Sequence, residues 1–203
     1  MPPGLLALDP RLRAVSRLRP LSLRARPTRR ELAALMLAGS GAALLTTFVD
    51  VRLGIPGHHI VLVMFPLALG VALVPRHLAG AIMSGSAATT AAGLAVAGVH
   101  LPGVGALTGL FLAGPLLDLA LRRGGDGWRL YASFVAAGAF ANVCAFLVRG
   151  TAKYLGFGGP AGGRGFAQWL PIATWTYALA GVLAGLLSAA AWFHLRARSD
   201  RGR

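Results

Sequence analysis

The sequence predicts an all-α membrane protein, a bundle of six transmembrane helices with a short, proline-interrupted second helix and both ends in the cytoplasm. Three observations predict this fold. Residues 32–193 form a nearly continuous apolar run, broken only by short polar or glycine-rich stretches. Charged residues make up 13% of the chain, about half of the roughly 25% found in soluble domains. The basic residues are distributed very unevenly along the chain.

The apolar run divides into six predicted helices. Lipid offers no hydrogen-bond partner to a peptide group, so apolar segments of about 18 residues or more must satisfy their backbone as helices. Four segments meet this length and two are weaker. In chain order the six are residues 32–49, 60–74, 78–99, 101–117, 130–148 and 165–195.

The second segment differs from the others. Its 15 residues span only about 22 Å, less than the roughly 30 Å of a hydrocarbon core. Pro66 interrupts it. In transporters such a segment often borders a binding site, because its freed backbone groups line a cavity. A kink that serves packing alone is an equally good interpretation.

The basic residues orient the bundle. With the N-terminus inside, sixteen of the 20 lysines and arginines fall on the cytoplasmic side and four fall outside. The positive-inside rule therefore predicts cytoplasmic ends and a multi-pass protein of the inner cell membrane. The predicted organisation is a basic tail of residues 1–30, a membrane domain of residues 31–195 and a basic tail of residues 196–203.

The basic tails explain the net charge of +14 without a nucleic-acid partner, and none is predicted. Both tails are expected to face anionic lipid headgroups. For the first thirty residues, two other interpretations stay open. They are a solvated segment that only sets topology, or an organelle transit peptide.

Polar residues concentrate at the predicted outer ends of the helices, where we expect a ligand site. Together they offer an acceptor, two groups that donate or accept, an amide and a stacking face, as a polar heterocyclic solute requires. The predicted site consists of Asp50, His58, His59, Asn142 and Trp175. In the competing interpretation, Asp50 pairs with a nearby arginine and the other residues belong to the membrane interface.

Catalytic and metal-binding patterns are missing from the sequence. In the helices after the one that carries Ser84 and Ser86, His194 is the only histidine, and it lies at the predicted cytoplasmic rim. Adjacent histidines on an extended loop point apart, so we predict no metal site, and no cofactor is predicted. We do not expect an enzyme. Asp118 has Arg122 four residues later, a spacing that favours an ion pair.

The first helix carries Ala34, Ala38 and Ala42 at four-residue spacing. Residues four apart share one face of a helix, so these alanines form a smooth strip that another helix can approach closely. The strip is predicted either to contact a partner protein or to pack internally.

The six-helix topology, the short second helix after the first outer loop and the Ala34-Ala38-Ala42 strip resemble the substrate-binding S component of energy-coupling factor transporters. The resemblance implies capture of a small vitamin-like or metal solute from outside, under the loop between helices one and two. It also implies a coupling membrane subunit, which the alanine strip would contact, and a pair of ATPases.

The leading alternative is a small polytopic assembly protein that binds no solute. A substrate-capture subunit should hold a closed polar cavity of about 300 Å³ or more beneath the first outer loop. An assembly protein should be packed solid there.

Overall fold

The computed structural model describes residues 27–49, 56–123, 127–156 and 165–201. The described residues form six α-helices and no strand, which confirms the predicted all-α fold. The basic tail up to residue 26 and the loop that contains Asp50 lie outside the described residues. The helices are α1 (Arg29–Phe48), α2 (His59–Leu73), α3 (Ala79–Val96), α4 (Val104–Arg123), α5 (Trp128–Tyr154) and α6 (Phe166–Arg201).

Five of these helices, all except α2, are long and apolar enough to cross a membrane. The chain is therefore a helical membrane protein. Helix α2 is 15 residues long and contains Pro66, as the sequence predicts. It packs against each of the other five helices. Because α2 is enclosed by protein, it does not have to match the thickness of the bilayer by itself.

Local sequence explains several helix ends. Thr28 and Glu31 form a capping box that starts α1: the Glu31 amide donates to the Thr28 hydroxyl, and the Thr28 amide donates to the Glu31 carboxylate. These bonds satisfy amides that have no partner inside the helix. Gly98 and Gly156, both at positive φ, follow the ends of α3 and α5.

Glycines set the closest helix contacts. Gly80 of α3 and Gly114 of α4 meet backbone to backbone, and a Cβ on either would collide with the carbonyl of the other. Gly138 of α5 meets Gly181 of α6 in the same way. Gly39 brings α1 onto the backbone of α3 at Met83. Since lipid provides little hydrophobic drive between helices, such close packing is a main source of association.

One end of the bundle, which we call the basic end, is defined by five of its arginines. They are Arg29, Arg76, Arg122, Arg123 and Arg129. There the Arg76 guanidinium donates to the Glu31 carboxylate at 2.8 Å and joins the start of α1 to the turn before α3. This contact raises the pKa of Arg76 above its ordinary value. Arg122 at the end of α4 contacts His77. The starts of α1, α3 and α5 and the end of α4 thus lie at the basic end.

Asp118 is buried near the basic end, but it is not held there by an ion pair with Arg122. Its two carboxylate oxygens accept hydrogen bonds from the amides of Gly80 and Ala81, each at 2.9 Å. Leu78 precedes α3 with φ 61 and provides no capping side chain. Asp118 therefore caps α3 from the neighbouring helix, where a negative charge also complements the helix dipole. The prediction of an ion pair with Arg122 is therefore wrong, because the amides of Gly80 and Ala81 bind the Asp118 carboxylate instead of the Arg122 guanidinium.

Candidate solute-binding site

At the end of the bundle opposite the basic end, polar side chains from three helices meet at a small cleft, which we call the Asn142 cleft. It lies where α2, α4, α5 and α6 come together. The remaining lining is apolar or backbone. The residues that matter for its chemistry are Gly57, His59, Gly105, Asn142, Arg149 and Tyr177.

Asn142 is the structural centre of the cleft. Its side chain is only 2% exposed. The amide nitrogen donates to the Gly57 carbonyl at 3.2 Å and to the Tyr177 carbonyl at 2.6 Å. One side chain of α5 thereby holds both the turn before α2 and the backbone of α6. Gly181 makes this possible, because a Cβ there would lie 3.0 Å from the Cβ of Asn142.

Gly57 occupies a position that only glycine fits. Its φ is +86, in the left-handed region that other residues rarely adopt. A Cβ at this position would lie 2.8 Å from the ring of Tyr177. The turn before α2 therefore rests directly on Tyr177 and forms the roof of the cleft.

Tyr177 and Arg149 form the polar wall. Tyr177 is buried, and the Arg149 guanidinium lies beside its hydroxyl. Gly105 of α4 approaches both: a Cβ there would lie 3.3 Å from the Tyr177 hydroxyl and 3.4 Å from the Arg149 Cβ. The absence of a side chain at Gly105 leaves the hydroxyl and the guanidinium facing the cleft.

An aromatic cluster supports this wall from behind. Phe146 stacks on Trp169 with ring centroids 5.7 Å apart and also contacts Tyr177 at 5.6 Å. The Lys153 ammonium lies 5.6 Å from the centre of the Trp169 ring, within the range of a cation–π interaction. The cluster packs against the ring of Tyr177, and Lys153 lies over Trp169 and is not part of the cleft lining.

The cleft has a cavity volume of about 10 Å³. That is room for about one water molecule, far less than the roughly 300 Å³ expected of a small-molecule pocket. In this conformation the cleft is closed to any solute larger than water.

The predicted ligand residues are only partly brought together. His59 and Asn142 line the cleft. The ring of His58 lies 4.2 Å from that of His59, next to the cleft but not in its lining. Asp50 lies outside the described residues.

Trp175 is not in the cleft. It is 72% exposed on the outer surface of α6. Residues two apart on a helix point about 200° apart, so Tyr177 faces inward where Trp175 faces outward. The stacking face that we expected from Trp175 belongs to Tyr177. Sequence reasoning missed Tyr177 because α6 is apolar on all sides and periodicity did not indicate which aromatic residue faces inward.

Gly57, Gly105 and Arg149 were also not predicted as site residues. Their sequence signals were weak: a glycine in the turn before the short helix, a glycine at the start of α4 and an arginine near the predicted outer end of α5. Each acquires its role only from the helices packed against it.

The burial of the alanine strip increases along α1. Ala34 is exposed, Ala38 is half-buried beside Gly70 of α2, and Ala42 is fully buried. Ala42 therefore packs internally, and Ala34 is the member most open to a partner protein. A partner contact through this strip stays a prediction.

Within the described ranges, no group of three or more histidine, cysteine or acidic side chains is arranged to hold a metal ion. Comparison with protein-family models, curated proteins and solved structures finds no match to this chain. Its function must therefore be inferred from its own residues.

Proposed function

We propose that this protein is a membrane-embedded subunit that captures a small anionic solute at the Asn142 cleft, in the manner of the S components it resembles. The observation that carries the proposal is the convergence of His59, Asn142, Arg149 and Tyr177 at one end of an apolar bundle. Polar and ionisable groups within a membrane bundle are costly and generally functional. A guanidinium beside a hydroxyl and an imidazole suits a carboxylate or a phosphate.

Binding on this proposal requires the cleft to open. The turn at Gly57 covers the cleft, and Asn142 donates a hydrogen bond to the Gly57 carbonyl. This hydrogen bond contributes only about 1 kcal/mol net, so a solute that bonds Asn142 and Arg149 can replace it. Lifting this turn would release the Asn142 amide toward the solute at the same time.

Uptake would need further subunits. By the resemblance, these are a coupling membrane protein and a pair of ATPases. Ala34 is the exposed part of the strip that would contact the coupling subunit.

Arg149→Gln tests the solute site. Purified wild-type protein, denatured and extracted, should release a co-purified anionic compound detectable by mass spectrometry. Loss of a charged hydrogen bond removes about 1.5–3 kcal/mol of binding, so Arg149→Gln should reduce recovery roughly tenfold or more. The matched control is Lys153→Gln, a cation of the same end held over Trp169 instead of in the cleft. Equal recovery from Arg149→Gln and Lys153→Gln would contradict the proposed site.

The proposal includes an orientation in the inner cell membrane. The basic end faces the cytoplasm, and the Asn142 cleft faces the outside. In a Cys144→Ala background, which removes the one native cysteine, Ala97→Cys should react with a membrane-impermeant maleimide in intact cells. Arg129→Cys should react only after lysis, because the two positions lie at opposite ends of the bundle. Labelling of both in intact cells would rule out this orientation.

The small volume of the cleft favours one other function, an assembly protein that binds no solute. In that case Asn142 and Gly57 serve only to join helices. No compound other than lipid should then be recovered from the wild type, and Arg149→Gln should alter only stability or partner recovery.

A further inference from the structure

A groove on the lipid-facing surface of the bundle, between α4 and α5, has no role in the proposed solute site. It lies toward the basic end and has a cavity volume of about 380 Å³. Ala120 of α4 and Ala137 of α5 form its buried floor, and Leu119 and Phe140 form its walls. Small residues on the floor and larger ones at the rim create an open channel along the helix pair.

The groove faces the lipid. Phe140 is 58% exposed in the bundle, and an apolar side chain so exposed in a membrane helix contacts acyl chains. An unfilled groove would leave its lining without dispersion contacts. Something apolar and flexible must therefore occupy it in the bilayer.

The charge at the mouth of the groove indicates which class of lipid occupies it. Arg123 lines the basic end of the groove, together with Ser133 of α5. Arg129 lies one turn before Ser133 on the same face, and the Ser133 hydroxyl donates to the Arg129 carbonyl at 2.9 Å. Both arginines are exposed. The acidic Asp118 is engaged with the amides of α3. Even with Asp126 of the intervening loop counted as negative, Arg122, Arg123 and Arg129 leave this part of the sequence with a net positive charge.

The expected depth of the mouth in the membrane also fits a lipid headgroup at this position. Trp128 begins α5 and is 75% exposed. Exposed tryptophan at the end of a membrane helix typically lies at the headgroup level. Arg123 and Arg129 are then at the level of lipid phosphates, while Phe140 lies in the hydrocarbon region.

We propose that this groove is a specific binding site for one anionic phospholipid, with an acyl chain along Ala120 and Ala137 and the phosphate between Arg123 and Arg129. Neutral lipids can fill the apolar channel but carry no net negative charge to match the two arginines. The site is independent of the solute cleft, which lies at the opposite end of the bundle.

The test is native mass spectrometry of the full chain in micelles that contain equal amounts of phosphatidylglycerol and phosphatidylethanolamine. The wild type should retain one phosphatidylglycerol at several-fold higher occupancy than phosphatidylethanolamine. Arg123→Gln should lower that occupancy about five-fold, from the loss of one cation at the lipid phosphate. Ala136→Trp should fill the groove from its exposed wall and abolish retention.

Two control variants match these changes. Arg29→Gln removes an exposed cation of the basic end that lies on α1, away from the groove, and Ala132→Trp adds the same bulk to α5 at an exposed position outside the lining. Both should retain phosphatidylglycerol like the wild type. If Ala136→Trp aggregates, Arg123→Gln alone still decides, because its side chain is exposed.

Three results would overturn the proposal. They are equal retention of the two lipids by the wild type, unchanged retention by Arg123→Gln, or a dimer that survives delipidation and is dissociated by Ala136→Trp. The last result would assign the groove to a second copy of the chain.

Discussion

Gly80→Ala should strongly destabilise the protein, although it adds only one methyl group to a membrane helix. The new Cβ would collide with the Gly114 carbonyl of α4. The Gly114 carbonyl is a backbone group, so it cannot move aside like the end of a flexible side chain. The helices must separate, which also weakens the bond from the Gly80 amide to Asp118. We expect a loss of about 3 kcal/mol, the upper range for overpacked sites.

The measurement is the midpoint of thermal unfolding in detergent, with gel filtration to score the monodisperse fraction. Gly85→Ala is the matched control on the same helix, since its Cβ would meet nothing within 4 Å. Alanine is also a better helix former than glycine by up to about 1 kcal/mol. Gly85→Ala should therefore unfold at the same temperature or higher. If Gly80→Ala behaved like Gly85→Ala, the close α3–α4 contact would be wrong.

Asn142→Asp should be the most damaging change at the candidate site. It keeps the shape of the side chain but replaces the amide donor with an acid. The Gly57 and Tyr177 carbonyls would each lose their bond from Asn142, and an ionised carboxylate would face two carbonyl oxygens. Each lost hydrogen bond costs about 1 kcal/mol net, and a buried unpaired charge costs more. We expect a loss of roughly 3 kcal/mol or more and little folded protein.

Two comparisons make this prediction specific. Cys144→Ala, two residues further along α5 and half-buried, should leave the unfolding midpoint near that of the wild type. Asn142→Leu, which removes the bonds without adding a charge, should fall between the wild type and Asn142→Asp. Wild-type stability of Asn142→Asp would show that the amide does not hold α2 and α6 together, and the Asn142 cleft would lose its structural basis.

Hydropathy alone determined the broad character of this protein. The apolar segments predicted six helices and a membrane location because a peptide group in lipid has no partner outside its own helix. The second apolar segment has only 15 residues and contains Pro66, and these two features predicted the short α2. These inferences need only local sequence, since hydrogen bonding within a helix is local.

The tertiary structure decided which face of each helix points inward. In a soluble protein an apolar stripe marks the buried face, but a membrane helix is apolar on all sides, so its sequence does not show its rotation. Glycine contacts such as Gly80 with Gly114 set that rotation through close packing of two backbones. They turned Tyr177 into the cleft and Trp175 out of it, and they gave Asp118 the amides of α3 in place of Arg122. Such contacts join residues far apart in sequence, so the spacing along one helix could not reveal them.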